Sequence, residues 1–195
     1  MNKIQISGSI KSVRSVSEKL QIISLDSGKG TFQIKLFNDY GRNLLPKLTE
    51  GIRITVNGEL TQSRFVAQDG TEVSRTDIIG RRVKLNTEEE VNEITIQGRI
   101  VREVENRFTS TGEHNVSRTA LGVVDFRDEE HFFTVEGWDE VAQEMLTLEK
   151  GQEVLIKGSL RKNVWESKEG ELRSQIYINL LNFSLVGAAV APVEG

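Results

Sequence analysis

Hydrophobic and polar residues alternate along several stretches of this chain. Apolar side chains occupy alternate positions of 52–60 and again of 154–160. A period of two is typical of β-strands that cover a core with one face and meet water with the other. Asp69-Gly70 and Glu169-Gly170 lie between such runs and predict tight hairpins, because glycine readily adopts positive φ angles.

The chain also repeats itself. Ile4-Gln-Ile6-Ser-Gly8-Ser-Ile10 recurs ninety residues later as Ile94-Thr-Ile96-Gln-Gly98-Arg-Ile100, whereas Glu50–Leu60 matches Lys150–Leu160 at an offset of one hundred. The second copy must therefore gain ten residues, and such insertions fall in loops. We expect this one around Arg107–Glu113. The sequence thus predicts two copies of one module.

Each copy contains one stretch with helical spacing. In the second copy it is Asp139–Leu148, where Asp139 would be the N-cap and apolar residues recur at intervals of three and four. In the first copy it is a weaker segment, Asp39–Leu48, interrupted by Pro46. Each module is therefore predicted as three strands, a helix and two more strands, in about ninety residues.

Glycines interrupt strands at matching positions of the two copies, where they suit bulges or sharp bends. They are Gly8, Gly58, Gly98 and Gly158. Five bent strands with one helix between the third and fourth describe an OB fold, and an unrelated β-sandwich explains the helix less well. We predict an all-β chain of two tandem OB folds, each a five-stranded Greek-key barrel. The predicted domains are 1–86 and 91–186, followed by a short tail, 187–195.

The join between the modules, 86–90, is short and acidic. Five extended residues span at most about 18 Å, so the two barrels are expected to lie side by side. A ligand that is long enough to touch both would gain avidity without any new kind of contact.

Composition narrows the function. The 195 residues have a net charge of −4, but residues 1–86 carry +6 and residues 87–195 carry −10. A histone-like polycation is excluded, whereas a local cationic groove is not. Because cysteine is absent, disulfides, cysteine-zinc clusters and cysteine nucleophiles are excluded. No apolar run is long enough for a membrane span. These features predict a cytoplasmic protein.

No enzyme signature is found. His114 and His131 lack the partners of a metal site or catalytic triad, and we interpret them as a solvated loop and a strand-edge histidine. Gly28–Thr31 lacks the spacing of a phosphate loop and is expected to be a turn. The acidic runs Glu88–Glu90 and Asp128–Glu130 lack EF-hand spacing and are expected to be solvated. We therefore predict neither a cofactor nor a metal.

Aromatic and basic residues alternate in the second copy. Planar rings can stack on any nucleobase while cations bind phosphates, so this composition is typical of sequence-tolerant single-strand binding. The alternative for any one ring is the barrel core, to which we assign Phe133 and Phe183. The candidate stacking residues are Phe126, Phe132, Trp138 and Trp165, and the candidate phosphate-binding residues are Arg118, Arg127, Arg161, Lys162, Lys168 and Arg173.

The second copy resembles the bacterial single-stranded DNA-binding protein family. The run His131-Phe-Phe-Thr-Val-Glu-Gly-Trp138-Asp-Glu-Val-Ala142 is similar to the family's third strand and helix. Lys150-Gly151, Gly158-Ser-Leu160 and Trp165 also have the family's spacing. The resemblance covers about 91–186 and implies an OB fold that wraps single-stranded DNA on stacked aromatics.

The resemblance also suggests site residues. By position, Phe126, Phe132, Trp138 and Trp165 match the family's stacking residues. Arg118, Arg161 and Arg173 lie where family members make basic or polar contacts, which is a weaker match.

The first copy matches through the internal repeat. Phe32 is paired with Phe132 and Phe65 with Trp165, with Phe37 or Asn38 at the Trp138 position and Tyr40 nearby. We predict that this copy contributes fewer stacks and more charge, and the alternative is a dimerising or spacer barrel. Its candidate stacking residues are Phe32, Phe37, Tyr40 and Phe65, and its candidate phosphate-binding residues are Lys29, Lys35, Arg64 and Arg75.

The family implies further expectations. Some relatives carry two barrels per chain and dimerise, which suggests a homodimer with four OB folds. The sequence ends at Ala188–Gly195 without the acidic tip through which typical members recruit partners. We predict a nucleoid-associated protein that coats single-stranded DNA in replication, recombination or repair. A protein-protein adaptor and a single-stranded RNA binder remain alternatives.

Overall fold

The computed structural model describes residues 1–37, 48–67, 70–168 and 170–187, and most of them lie in strands. The first barrel is built from five strands: β1 (Asn2–Ser17), β2 (Leu20–Asp26), β3 (Thr31–Phe37), β4 (Arg53–Val66) and β5 (Glu72–Leu85). The second barrel is built from β6 (Asn92–Ile100), β7 (Glu105–Phe108), β8 (Asn115–Val124), β9 (Glu130–Trp138), the helix α1 (Glu140–Met145), β10 (Glu153–Glu166) and β11 (Leu172–Leu185).

All eleven described strands form one sheet, in the order β2-β3-β5-β4-β1-β6-β10-β11-β9-β8-β7. Additional pairings of β2 with β1 and of β6 with β8 close each half into a barrel. Each half contains one parallel pairing with its last strand, that of β3 with β5 and that of β9 with β11. The prediction of an all-β chain of two tandem OB folds is confirmed.

The barrels are joined by antiparallel pairing of β1 with β6. The join is nearly symmetric, because a hydrogen bond from the first barrel to the second has an equivalent that runs from the second barrel to the first, with each residue replaced by its counterpart ninety positions away. The Ser7 N–H donates to the Val91 carbonyl at 2.8 Å, and the Gln97 N–H donates to the Met1 carbonyl at 2.8 Å. The two barrels therefore lie side by side, in one continuous sheet.

The second barrel has six strands rather than the predicted five. In the first barrel one long strand, β1, pairs with both β4 and β2. In the second barrel the corresponding strand is interrupted after β6, and the chain pairs with β8 a second time as β7. The Thr119 hydroxyl donates to the Arg102 carbonyl at 2.8 Å and holds the intervening turn. Some of the extra residues of the second copy form this turn, β7 and the loop that follows. The others lengthen the turn between β8 and β9, because Leu121 pairs with Phe133 whereas its counterpart Leu25 pairs with Phe32.

Two glycines lie at bulges, as their position in the repeat predicts. The ladder between β4 and β5 shifts register at Gly58, and that between β10 and β11 shifts at Gly158. A Cβ would lie 2.0 Å from the Ile79 carbonyl oxygen at the first position and 2.3 Å from the Asn179 carbonyl oxygen at the second. Only glycine allows the neighbouring strand to approach this closely.

The helix of the second barrel is shorter than predicted, Glu140–Met145 rather than Asp139–Leu148. Asp139 occupies the N-cap position but does not cap the helix with its side chain. Its carboxylate instead accepts from the Asn115 N–H at 3.1 Å. The helix predicted for Asp39–Leu48 lies almost entirely outside the described residues. Within the described part of the chain, no helix is long and apolar enough to cross a membrane.

The acidic join is partly bound to the first barrel rather than wholly solvated. The Glu89 carboxylate accepts from the Thr55 hydroxyl at 3.1 Å and from the Lys84 ammonium at 2.8 Å. The hydrogen bond from Lys84, followed by that from Thr55, lowers the pKa of the Glu89 carboxyl below its usual value of 4.5. These contacts fix the path of the chain between the barrels.

Candidate nucleic-acid interface

Two candidate rings lie on the outer face of β9. Phe133 and Val135 point into the core, so their alternate neighbours point outward. Phe132 and Trp138 each keep 38% of their surface exposed. They lie six residues apart on the same face of one strand, about 20 Å by the strand rise. An unpaired strand that ran along β9 could meet both rings.

Two more rings lie on the hairpin arms, which are the paired ends of β4 with β5 (61–66 with 72–77) and of β10 with β11 (161–166 with 172–177). Trp165 on β10 is paired with Arg173 on β11, and Phe65 holds the equivalent place on β4. Trp165 is 41% exposed and Phe65 is 48% exposed. Each arm therefore carries one outward ring, and in the second barrel a guanidinium lies across from it. The stacking roles of these rings stay predictions.

Phe126, in the turn between β8 and β9, is the most exposed of the candidate rings that the structure describes, at 79%. The Arg127 guanidinium lies 5.1 Å from its centre, within cation–π range. The turn is held by Asp125, whose carboxylate accepts from the Arg127 N–H at 2.7 Å and the Glu129 N–H at 3.0 Å. Desolvation raises the pKa of the Asp125 carboxyl, but these bonds and one from His131 outweigh it and hold that pKa below the usual 3.8.

His131 lies at the start of β9, as expected, but it is only 5% exposed. Its Nδ1 accepts from the Gln62 N–H of the first barrel at 3.3 Å, which leaves the hydrogen on Nε2. Nε2 then donates to the Asp125 carboxylate at 3.3 Å. Asp125, Glu129 and His131 are close enough together to suggest a cation site. Both nitrogens of His131 are, however, used in hydrogen bonds that orient the turn.

The prediction for Phe32 is wrong. Its ring is fully buried, because it points into the first core as Phe133 points into the second. The register shows why: Ile34 on β3 pairs with Ile78, and Val135 on β9 pairs with Ile178. The offset between β3 and β9 is therefore 101 rather than 100 residues, so Phe32 matches Phe133 and not Phe132.

The same shift places Phe37 at the position of Trp138. Phe37 is half-buried at the end of β3, beside Leu20. Thr31 occupies the position of Phe132, so the outer face of the first barrel lacks that ring. Tyr40 lies outside the described residues. The first barrel thus presents fewer aromatic side chains among its described residues than the second.

The prediction that Lys35 binds phosphate is also wrong. Its ammonium lies 2.7 Å from the Asp77 carboxylate, and the two side chains are only 19% and 8% exposed. The same carboxylate accepts from the Ser63 hydroxyl at 2.7 Å and from Arg75 Nε at 3.1 Å. Lys35 therefore neutralises a buried acid. Arg75 remains half-exposed but shares that carboxylate.

An acid also lies on the outer face of β9, beside the candidate rings. Glu136 is 6% exposed and accepts a close, two-nitrogen contact from Arg118. Burial, followed by the charge of Glu136, raises the pKa of Tyr177, while Arg161 and Arg118 nearby lower it. Glu136 thus offsets part of the charge of Arg118, and Arg161 lies close enough to Tyr177 to act on its hydroxyl.

The other candidate cations lie on arms and turns. Two of them bridge the barrels: Arg64 donates to the Glu130 carbonyl at 3.1 Å and Lys162 to the Thr31 carbonyl at 3.2 Å. Arg173 forms a long, exposed ion pair with Glu171 at 3.7 Å. Lys29 and Lys168 are exposed at hairpin turns.

Sequence reasoning missed Phe108 on β7. This ring is 66% exposed and, with Trp138, Arg107 and Val116, lines a groove of about 370 Å³. His114, in the loop after β7, packs edge-on against Trp138 with ring centroids 6.1 Å apart. Phe108 and His114 lie in the part of the second copy that is longer than the first, so the repeat gave no signal for them.

Known proteins resemble this chain at the level of a family and of individual relatives. The model of the single-strand binding protein family matches residues 91–186. The single-stranded DNA-binding protein of Treponema pallidum is 31% identical over 110 residues, which are 52% of this chain and 61% of that protein. That of Deinococcus radiodurans is 25% identical over 149 residues, 65% of this chain and 50% of that protein. The chain thus spans between half and three-fifths of these two relatives.

A solved structure resembles the whole chain. The crystal structure of the wild-type single-stranded DNA-binding protein from Thermus aquaticus superposes with a TM-score of 0.75 at 21% identity. The match covers 98% of this chain and 95% of that one. At this identity the likeness establishes a common fold, including the side-by-side arrangement of the two barrels.

Proposed function

Since residues 91–186 belong to the single-strand binding protein family, we propose that this chain binds and protects single-stranded DNA without sequence preference. The observation that carries the proposal is the set of exposed rings on one barrel. Phe126, Phe132, Trp138 and Trp165 all keep an exposed surface. Each has a cationic residue beside it: Arg127, Lys162, Arg107 and Arg173, respectively. Each ring offers a face on which any base can stack.

The charges support a non-catalytic role. Binding would draw on cations at arms and turns, such as Arg127, Lys168 and Arg173, rather than on a catalytic constellation. The first barrel adds Lys29 and Arg64, together with the ring of Phe65. We propose that the single-stranded DNA contacts both barrels. The domain bounds that we propose are 1–86 for the first barrel, 91–186 for the second and 187–195 for a tail. We propose that the chain acts in replication, recombination or repair, the processes that expose single-stranded DNA. It would then be located in the cytoplasm, at the nucleoid.

We also propose that two chains associate into a homodimer with four barrels, as the resemblance to two-barrel relatives suggests. Sedimentation equilibrium tests this directly, since one chain has a mass of 21.9 kDa. A species of twice that mass supports the homodimer. A species of the single mass at micromolar concentration contradicts it.

Fluorescence anisotropy of a labelled oligo(dT) strand tests the proposed function. We expect saturable binding that unlabelled single-stranded DNA of mixed sequence displaces and duplex DNA of the same length does not. If RNA of equal length displaces the probe as well as DNA does, the protein is a general single-strand binder, because stacking alone does not separate the two. If the anisotropy does not change, the adaptor alternative is favoured and the proposal fails.

A further inference from the structure

The two barrels meet at a second place besides the pairing of β1 with β6. The side chain of Gln62, on the arm of the first barrel, lies against the backbone of Phe132 in the second. Its Oε1 accepts from the Phe132 N–H at 2.9 Å, and its Nε2 donates to the Phe132 carbonyl. Gln62 therefore binds both polar groups of one residue, as a neighbouring strand would.

Two further hydrogen bonds join the same arm of the first barrel to β9. The backbone N–H of Gln62 donates to His131 Nδ1 at 3.3 Å, and the Arg64 guanidinium donates to the Glu130 carbonyl at 3.1 Å. Three consecutive residues at the start of β9 are thus held by one arm of the other barrel. The ring of Phe132, in contrast, remains 38% exposed.

The equivalent contact on the other side of the join holds no ring. Lys162, one hundred residues after Gln62, donates to the carbonyl of Thr31 at 3.2 Å. Thr31 is the counterpart of Phe132 in the register of β3 and β9. The two contacts therefore share a position in the fold, but only the one made by Gln62 presents an aromatic surface.

Phe132 opens into a groove of about 240 Å³ between the barrels. Both barrels contribute polar and charged groups to its lining, including the Asp77 carboxylate, which is paired with Lys35 and Arg75. The amides and hydroxyls can exchange hydrogen bonds with the edges of a base, and the cations can face phosphates. The lining residues that the proposal depends on are Gln33, Ser74 and Arg75 from the first barrel and Phe132, Lys162 and Gln175 from the second.

We propose that this groove is a nucleotide-binding site shared by the two barrels, in which one unpaired base stacks on Phe132. Gln62 borders the groove as well, but both polar atoms of its amide are bonded to the Phe132 backbone, so we assign it the role of a positioning residue that holds the ring in place. The inference rests on the proposed function and adds to it. The first barrel is then part of the base site of the second, whatever bases it stacks itself.

The test is a double-mutant cycle on the full chain, with labelled oligo(dT) as the probe. Phe132→Ala should weaken binding between about fivefold and about 150-fold, the range of one lost stack. Gln62→Ala should weaken it between about twofold and about tenfold, the range of a lost hydrogen bond. If Gln62 acts through Phe132, the double variant binds no more weakly than Phe132→Ala alone. Two additive losses would overturn the positioning role.

Two further variants keep the cycle interpretable. Gln97→Ala is the matched control, because it removes a half-buried glutamine whose amide donates to Glu153 on the barrel-joining sheet. It should leave the affinity unchanged. Gln62→Met preserves the volume but not the hydrogen bonds, so it should reproduce the loss caused by Gln62→Ala even if the smaller residue lowers the melting temperature.

The outcomes separate this inference from the proposed function. If the wild-type chain fails to bind oligo(dT), both fall. If it binds and its affinity falls with salt, while Phe132→Ala and Gln62→Met bind as tightly as the wild type, the shared site is overturned and single-strand binding stands.

Discussion

Ile4 pairs directly with Ile94, the residue that holds the same place in the second copy. Both side chains are buried, at 3% and 1% exposure, so the pair lies in the packed interior at the join. A residue that pairs with its own counterpart marks a local two-fold axis. The sheet runs through this axis without a break, which ties the stability of each barrel to that of the other.

We therefore expect the two barrels to unfold as one unit. Trp138 and Trp165 lie in the second barrel, so tryptophan emission follows that barrel, whereas far-ultraviolet circular dichroism follows the strands of both. In urea the two signals should give coincident transitions with one midpoint. Separated midpoints would show that the join does not couple the barrels.

Truncation of Phe32 should destabilise the fold much more than truncation of Phe132. Phe32→Ala removes a fully buried ring and should lower the free energy of unfolding by about 3–5 kcal/mol. Phe132→Ala removes a partly exposed ring and should cost less than about 1.5 kcal/mol. Urea unfolding of both variants measures the difference. Equal losses would contradict the burial that separates the two residues.

The Phe32 error shows how far the sequence alone reaches. Alternation, the internal repeat and the interrupting glycines were enough to predict two OB folds, because these patterns follow from strand geometry. The repeat could not fix the register of β3 against β9, since its offset changes from ninety to one hundred residues nearby. In a strand a one-residue slip moves every side chain to the opposite face. The slip of one residue therefore matched Phe32, a core residue, with the surface residue Phe132 instead of the core residue Phe133.

The shared site between the barrels could not be predicted for a different reason. Gln62 is an uncharged residue without a motif, and its partner Phe132 lies seventy residues away. Likewise, nothing in the sequence near Lys35 indicates Asp77, which neutralises it. Contacts of this kind depend on how two barrels pack, and periodicity within one strand carries no information about them.

The buried carboxylate of Asp77 should be important for stability. Asp77→Ala leaves the ammonium of Lys35 buried without its partner, which typically costs about 3–5 kcal/mol. The matched control is Glu171→Ala, which removes the exposed ion pair with Arg173 and should cost less than about 1 kcal/mol. Thermal unfolding of both variants provides the comparison. Similar melting temperatures would contradict a structural role for the Asp77 cluster.

Acid should weaken the attachment of the join to the first barrel. The pKa of the Glu89 carboxyl is lower in the folded chain than its usual 4.5. Its contribution to stability is therefore present above about pH 4.5 and is lost as the pH falls through the folded value. Glu89→Gln removes this titration, so its free energy of unfolding should fall less steeply than that of the wild type below about pH 5. Glu88→Gln, the same change at the neighbouring residue, should follow the wild type.

Stacking on the tryptophans is tested by replacing each one alone. Trp138→Ala and Trp165→Ala should each weaken oligo(dT) binding by about 1–3 kcal/mol, the cost of one lost stack. Leu181→Ala is the control, because this apolar residue is 57% exposed but lies on the part of β11 beyond the arm. Calorimetric titration measures all three. An unchanged affinity in a variant that remains folded would remove that tryptophan from the site.

The most direct test of single-strand binding is a titration of the wild-type chain with oligo(dT), followed by tryptophan emission and repeated at increasing salt. If bases stack on Trp138 and Trp165, the emission is strongly quenched at saturation. If cations on the arms and turns bind phosphates, the logarithm of the affinity falls linearly with the logarithm of the salt concentration. Unquenched emission, together with an affinity that salt does not change, would contradict the account.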